Sequence, residues 1–339
     1  MSAAADDLRP ASGATPDRAP FRAADLLARR EPTLALLIAL SAVAASRLSP
    51  YFLDAGNLLD STFNVAEVAM IALGMSALIV AREIDLSVAA IVALSSLAMG
   101  WAAAAGFGAV PLLGVGLAVG ALAGSVNGAL VTRLRLPSIV VTIGTMSLFR
   151  GLAQVALGDG ALTKYPQGLL DFGQGYLAFG VPNSTATFAL LAMAAGAILH
   201  FTPLGRAIFA IGANPTSARF SGLPVDRIRF GLFVVSGLLS GLAAWFLTGR
   251  IGSTRPDIAT GWELEAVTMA ILGGVAITGG AGTVAGVVLA VVLLDEATFA
   301  MQLLNVPGVV IDVALGSLLI VTLAAPEIAR RALGRLWRP

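Results

Sequence analysis

Ten stretches of this chain run for close to a membrane's thickness in apolar residues, and that recurring length constrains the fold more than any single motif. A helix crosses the hydrocarbon core with about 20 such residues. The segments are 33–52, 62–81, 86–105, 109–131, 138–157, 182–202, 228–249, 263–279, 283–304 and 308–325. The first is the weakest, because Arg47 interrupts it and must snorkel to the interface. Composition agrees: only 12% of residues are charged and mean hydropathy is +0.88, where a soluble domain carries about 25% charged residues. The apolar excess must therefore face lipid, and the expected fold is all-α, a polytopic transmembrane bundle of about ten spans.

Residues 1–32, with Asp6, Asp7, Pro10, Pro16, Pro20 and five arginines, lack the apolar centre and small-residue cleavage site of a signal peptide. They read as a disordered or surface-lying cytoplasmic tail. Residues 33–325 then form the transmembrane domain and 326–339 a basic cytoplasmic tail.

Arginines set the orientation. With the N-terminus inside, the two tails, the turns at Arg82 and at Arg133 and Arg135, and the loop 205–230 hold sixteen basic residues, against four on the far side. That is a strong positive-inside asymmetry, so both termini are expected in the cytoplasm. The loop itself, GRAIFAIGANPTSARFSGLPVDRIRF, is the one long polar insertion with a charge excess. Arg206, Arg219, Arg227 and Arg229 face a single acid, Asp226. Breaks at Asn214-Pro215 and Leu223-Pro224 bracket a short helix between two turns. On the far side, Gly158 to Val181 is either a partner-docking loop or a solvated connection.

Internal repetition is suggested by Leu78 to Leu94 and Val275 to Ala290, each placing a polar or glycine break between two apolar spans. Both cross in the same direction, so the repeat would be parallel, with chance similarity of two alanine-valine stretches as the alternative. Glycines recur every four residues at Gly116, Gly120, Gly124 and Gly128, and again as Gly237 with Gly241 and Gly282 with Gly286. Small residues let helices approach closely in lipid. Packing within the subunit is favoured over a subunit interface.

Charges inside spans cost several kcal/mol unless they face protein or water. Glu67, Arg150, Glu265, Asp295, Glu296 and Asp312 are such residues, and an ion pair of Arg150 with Glu67 or Glu265 is expected. Asp295 and Glu296 point about 100° apart on a helix, so at least one should meet a polar cavity or partner. They either line a solute path or make a buried structural contact, and Asp312 could join them. Arg82 to Ser87 reads as a cytoplasmic turn whose Asp85 or Ser87 caps the next helix, or as a deeper break with Asp85 beside a translocation path.

Several activities are excluded. Cysteine is absent, which removes disulfides, thiolate catalysis and cysteine metal sites. The sole histidine, His200, ends an apolar run and reads as an interfacial side chain rather than a proton relay. No phosphate-cradling GxxxxGK[ST] loop, HExxH or GxSxG elbow occurs, and no basic, aromatic-studded run suggests nucleic acid. No catalytic residue, metal or bound cofactor is expected.

Five segments in order carry a family resemblance: EIDLSVAAIVAL (Glu83 to Leu94), NGALVTRLRLPSIVVTIGTMSLFRG (Asn127 to Gly151), GRAIFAIGANPTSARFSGLPVDR (Gly205 to Arg227), TGRIGSTRPDIATGWELEAVTMAILGG (Thr248 to Gly274) and GGAGTVAG (Gly279 to Gly286). From Tyr51 to Ala325 the chain resembles the membrane subunits of carbohydrate-type ABC importers, the group serving ribose, rhamnose, other sugars and autoinducer-2. Through YPQGLLDFGQGY, GSTRPDIATGWELE and LLNVPG it looks most like the rhamnose-type permeases. The resemblance implies a permease of the bacterial inner membrane that pairs with itself or a sister chain. It would sit on two cytoplasmic ATPase subunits, which use ATP and Mg, and receive sugar from a periplasmic binding protein. The family's coupling segment maps onto Asn214, Pro215, Thr216, Ala218, Arg219, Phe220, Ser221 and Gly222, with Phe220 as an apolar anchor and Arg219 as a polar clamp. The sequence departs from the family at the acids Asp295, Glu296 and Asp312, which also suit a cationic or amino-substituted solute. An ion-gradient-driven secondary transporter of a small polar solute is the competing reading, against which stands the arginine-rich loop that such a carrier does not need.

Overall fold

A computed structural model describes residues 30–311, 313–318 and 320. The calls on residues 1–29, Asp312 and the basic C-terminal tail therefore lie outside the described residues. Seven helices are long and apolar enough to cross a membrane. They are α1 (Arg30–Leu48), α3 (Phe63–Val80), α5 (Ala109–Arg133), α6 (Ser138–Leu157), α8 (Asn183–Phe201), α11 (Val225–Ile251) and α13 (Val284–Leu303). Between them lie α2 (Ala55–Ser61), α4 (Val88–Ala104), α7 (Gln167–Gly173), α9 (Pro203–Ala213), α10 (Pro215–Phe220) and α12 (Trp262–Leu272). A further apolar helix spans Gly308–Leu318.

The expected span at 263–279 is shorter than its composition suggests. Its helix, α12, ends at Leu272, and the chain then folds back through Gly274, Gly279 and Gly280, all at φ between 76° and 95°. Such angles suit glycine and stop a helix despite the apolar neighbours. The returning loop docks on the end of α3, where Gly280 N–H donates to the Val80 carbonyl at 2.8 Å.

At the centre stands α3, apolar on every side and buried almost throughout, as an all-round hydrophobic helix must be. It packs against α8, α11, α12 and α13, and α4 is similarly enclosed. By contrast α1, α6 and α8 leave much of their surface exposed, including Leu40, Val43, Val140, Val155, Leu190 and Met193. These are the faces lipid would cover.

The most extensive helix pairing joins α5 to α11. A Cβ on Gly120 would run into the Gly237 carbonyl, one on Gly124 into the Phe233 carbonyl, and one on Gly241 into the Gly116 carbonyl. At this line the two backbones touch directly, the close approach that small residues permit. Gly128 closes it against Phe230, and Gly286 packs likewise on the Gly273 carbonyl.

Polar segments gather at the two ends of the bundle. One end holds 81–87, 133–138, 202–225 and 273–283. Arg82 crosses it, its Nε donating to the Thr278 carbonyl at 2.6 Å and Nη2 to the Ala213 carbonyl at 3.0 Å. The opposite end holds 158–182 and 251–261, joined by a bridge between Leu162 and Thr254. There Tyr165 and Ser96 both hydrogen-bond the Thr254 hydroxyl.

Candidate functional site

The arginine-rich end is built by a succession of helix breaks that the sequence specifies locally. Thr202 caps α9 by accepting from Gly205 N–H at 3.3 Å, and Pro203 follows in the first turn. Asn214 then caps α10 twice over, its Oδ1 accepting from the amides of Thr216 and Ser217 at 3.0 Å each. Pro215 occupies the first helical position, where its missing N–H costs nothing. The helix stops after Phe220, as Ser221 Oγ bonds back to the Ser217 carbonyl and Gly222 takes φ 83°.

One face of α10 is glued to the bundle and the other is free. Ala218 is buried with Ile211 and Val225, which ties α10 to α9 and to the start of α11. Phe220, 89% exposed, projects from the opposite side beside a shallow cavity of about 190 Å³ formed with Pro215, Thr216 and Arg219. Arg219 does not reach outward as a free clamp. Its guanidinium grips Asp226 with two bonds of 2.7 and 2.8 Å, bracing α10 against α11. The Asp226 hydrogen bonds, and then its charge, hold the Arg219 pKa above its ordinary value.

Beneath α10, Arg229 pairs with Glu83 at 2.9 Å and also donates to the Ala81 carbonyl. Burial raises the Glu83 carboxyl above its usual range, and the Arg229 charge and the Ser138 hydroxyl pull it back. These two residues line a second cavity of about 280 Å³ with Arg135, Ser138, Arg219 and Asp226. The end of the bundle that carries α10 is thus an arginine-rich platform on which Phe220 stands exposed.

The charged groups within spans are handled differently from expectation. Arg150 pairs with neither Glu67 nor Glu265; its Nη1 donates to the carbonyls of Pro256 and Ile258 at 2.7 and 2.8 Å. Both carbonyls belong to the folded-back segment 256–258. Glu67, fully buried, takes Arg250 Nε at 2.7 Å, and Arg250 also reaches Asn64. Asp295 and Glu296 are held by hydroxyls, Ser61 Oγ donating to the first and Ser41 Oγ to the second, both at 2.9 Å. They thereby tie α13 to α2 and α1. Asp85 is fully buried and does not cap α4 at the N-cap position; its Oδ1 accepts from the Ser87 amide and hydroxyl in a local turn. His200, in the last turn of α8, accepts from Val284 N–H through Nε2.

Sequence reasoning missed Arg250 as the partner of Glu67 and Arg82 as a clamp. Their signal, a lone arginine at the edge of an apolar run facing acids or carbonyls far away in sequence, exists only once the chain is folded.

No solved structure matches this chain. Among curated proteins it is 34% identical over 277 residues to the ribose import permease protein RbsC of Bacillus subtilis, covering 81% of this chain and 85% of that one. The autoinducer 2 import system permease protein LsrD of Photorhabdus luminescens is 32% identical over 305 residues, covering 88% of this chain and 91% of that one. The Escherichia coli protein of the same name is 31% identical over 305 residues, covering 88% and 92%. The family model described as branched-chain amino acid transport system / permease component matches residues 57–323, nearly the whole helical bundle and all of α9 to α11. The chain is a multi-pass protein of the inner membrane and belongs to that permease family.

Proposed function

We propose that this chain is the membrane-spanning subunit of an ATP-driven importer of a monosaccharide, with rhamnose or a close relative as the solute. The observation that carries the reading is the continuous similarity, across more than four fifths of the chain, to relatives named as import permeases for ribose and for autoinducer 2. About ten spans, with both termini cytoplasmic, would form half of a permease pair, completed by an identical or sister chain. Sugar would arrive from a periplasmic binding protein, and ATP would be hydrolysed on separate cytoplasmic subunits.

The exposed helix α10 supports the second half of that reading. Asn214, Pro215, Thr216, Ala218, Arg219, Phe220, Ser221 and Gly222 make a pre-ordered, two-capped unit with one large apolar side chain held in solvent. An exposed aromatic flanked by polar groups is what a partner's pocket recognises as an anchor. The rim is basic, so an ATPase cleft lined with carboxylates would suit it. Asp295 and Glu296, occupied with serines, serve helix packing in this reading, and Glu67 serves it through Arg250. A neutral sugar needs no buried charge of its own in the permease.

The test is uptake of labelled L-rhamnose, with ribose and xylose as competitors. It would be measured in cells lacking their own sugar importers and supplied with this chain, its ATPase and its binding protein. The expected result is accumulation that stops when the ATPase carries an inactivated nucleotide site and persists when the ion gradients are collapsed under maintained ATP. Uptake that follows the gradients and ignores the ATPase would instead mark a secondary transporter.

A further inference from the structure

At the end of the bundle opposite α10, the last turn of α6 and the segment 255–257 flank a cavity of about 470 Å³. Four polar side chains line it: Gln154 and Asp159 on one wall, Arg255 and Asp257 on the other. Both walls are held by bonds made elsewhere. Thr254 is paired with Leu162 through two backbone bonds of 2.8 and 3.0 Å, and its hydroxyl meets Tyr165 and Ser96. Arg150 then holds the carbonyls of Pro256 and Ile258, one on either side of Asp257. Across the cavity, Gly158 N–H donates to the Gln154 carbonyl at 2.7 Å and Gly160 N–H to the Leu157 carbonyl at 2.8 Å. Arg150 and Gln154 stand about one turn apart on α6. The helix that pins one wall therefore supplies the other.

The four side chains themselves are uncommitted. Among the described residues, no hydrogen bond or ion pair engages the side chain of Gln154, Asp159, Arg255 or Asp257. Arg255 shares the cavity with two carboxylates and pairs with neither. The acids and arginines elsewhere in the bundle behave otherwise: Glu67, Glu83 and Asp226 each take an arginine, and Asp295 and Glu296 each take a serine.

We infer that this cavity is a binding site for a neutral sugar at the outer mouth of the transport path, an inference that rests on the importer reading above. A carboxylate accepts from adjacent sugar hydroxyls, a guanidinium donates to hydroxyl and ring oxygens, and an amide does both. The volume falls within the range of about 300–1,000 Å³ usual for small-molecule sites. Asp159 and Asp257 at −1 each and Arg255 at +1 leave the lining at −1, which disfavours sugar acids and sugar phosphates. Because both walls are clamped before the sugar arrives, little ordering remains to be done on binding.

The experiment is equilibrium binding of labelled L-rhamnose and D-ribose to the purified permease–ATPase complex in lipid nanodiscs, with no binding protein present. ATPase-dependent uptake with the binding protein is measured in parallel. Saturable binding is expected for the sugar that the wild type accumulates. Unlabelled neutral sugar should compete with it, and L-rhamnonate should not, a result that depends on no variant. Asp257→Asn should raise the Kd at least about tenfold and Gln154→Ala about three- to tenfold, the loss of a charged and of a neutral hydrogen-bond partner. Lys164→Gln, on the same outer loop but away from the cavity, should leave the Kd unchanged. Absence of saturable binding while wild-type uptake is intact would overturn the site alone. Absence of ATPase-dependent uptake would overturn the importer reading, and the site with it. Variants that keep the wild-type Kd but bind the loaded binding protein more weakly would make the cavity a docking surface and overturn the inference.

Discussion

Replacing Gly120 by alanine adds one methyl group, and the structure says where it must go. The new Cβ would overlap the Gly237 carbonyl oxygen and stand 3.0 Å from that carbonyl carbon and 3.1 Å from the Gly241 nitrogen. These are backbone atoms of the 27-residue helix α11, so no rotamer change can clear them. The helices must separate instead, and even a gap of 0.5–1 Å forfeits about a quarter to a half of each lost van der Waals contact. Overpacking of this kind costs about 1–3 kcal/mol, and the rigidity of the obstacle favours the upper part of that range. Gly144 on α6 provides the control, since a Cβ there meets nothing within 4 Å. Gly144→Ala should stabilise by up to about 1 kcal/mol through helix propensity alone. The two alanine variants should therefore differ by about 2–4 kcal/mol in opposite directions from wild type. Reversible unfolding in mixed detergent and SDS micelles measures the difference. The double variant Gly120→Ala, Gly237→Ala should cost less than the two singles added, because one separation relieves both collisions. Equal stability of Gly120→Ala and Gly144→Ala would refute the claim that these backbones are in contact.

Phe220→Ala, which leaves the Arg219–Asp226 brace intact, should change the unfolding midpoint little, since the side chain is 89% exposed, yet end co-purification with the ATPase and uptake together; intact co-purification would place the dock elsewhere. Arg250→Met should destabilise by about 3–5 kcal/mol by leaving Glu67 buried without its partner. Adding Glu67→Gln should recover most of that loss, and failure to recover it would mean that Arg250 acts through other contacts. Arg82→Gln should leave ATPase binding intact while lowering sugar uptake per ATP hydrolysed, as read in proteoliposomes, because the clamp from the end of α3 to the end of α9 and to the loop after α12 would be cut. Unchanged coupling would show that the clamp carries no load.

Long helices were legible because their apolar runs are long. The expected 109–131, 138–157, 182–202 and 283–304 fall within two residues of the helices observed at most ends. The break at Asn214-Pro215 and the short helix after it were equally legible, since cap, proline and closing glycine are all local signals. What misled was the stretch ILGGVAITGG after α12. Its composition is that of a span, yet Gly274, Gly279 and Gly280 adopt left-handed angles and let the chain turn back onto Val80. Short helices such as α2 and α7 were invisible against their apolar surroundings. Ion partners were the least legible: Glu67 and Arg250 are 183 positions apart, and Arg150 satisfies itself on carbonyls, which no pairing of charges along the sequence could have shown.

The same geometry limits how this bundle can move. A load applied at Phe220 passes through Ala218 into Ile211 and Val225, and through Arg219 and Asp226 into the first turn of α11. From α9 it continues into α3, because Gly212 lies against the Val80 carbonyl and Gly280, and Arg82 clamps the same corner. Along α11 it meets α5, where glycines interlock with carbonyls at successive turns. Backbones in such contact cannot slide past one another without collision, so α5 and α11 must travel as one body with α10. Relative motion is left to interfaces made by larger, adaptable side chains. The groove of about 680 Å³ between α8 and α13, lined by Phe188, Met193, Phe201, Val288 and Leu289 among others, is such an interface. Shear between packed helices of that kind is one of the ordinary ways in which domains move. The glycine line therefore does more than hold two helices together: it determines which helices a push on α10 must carry with it.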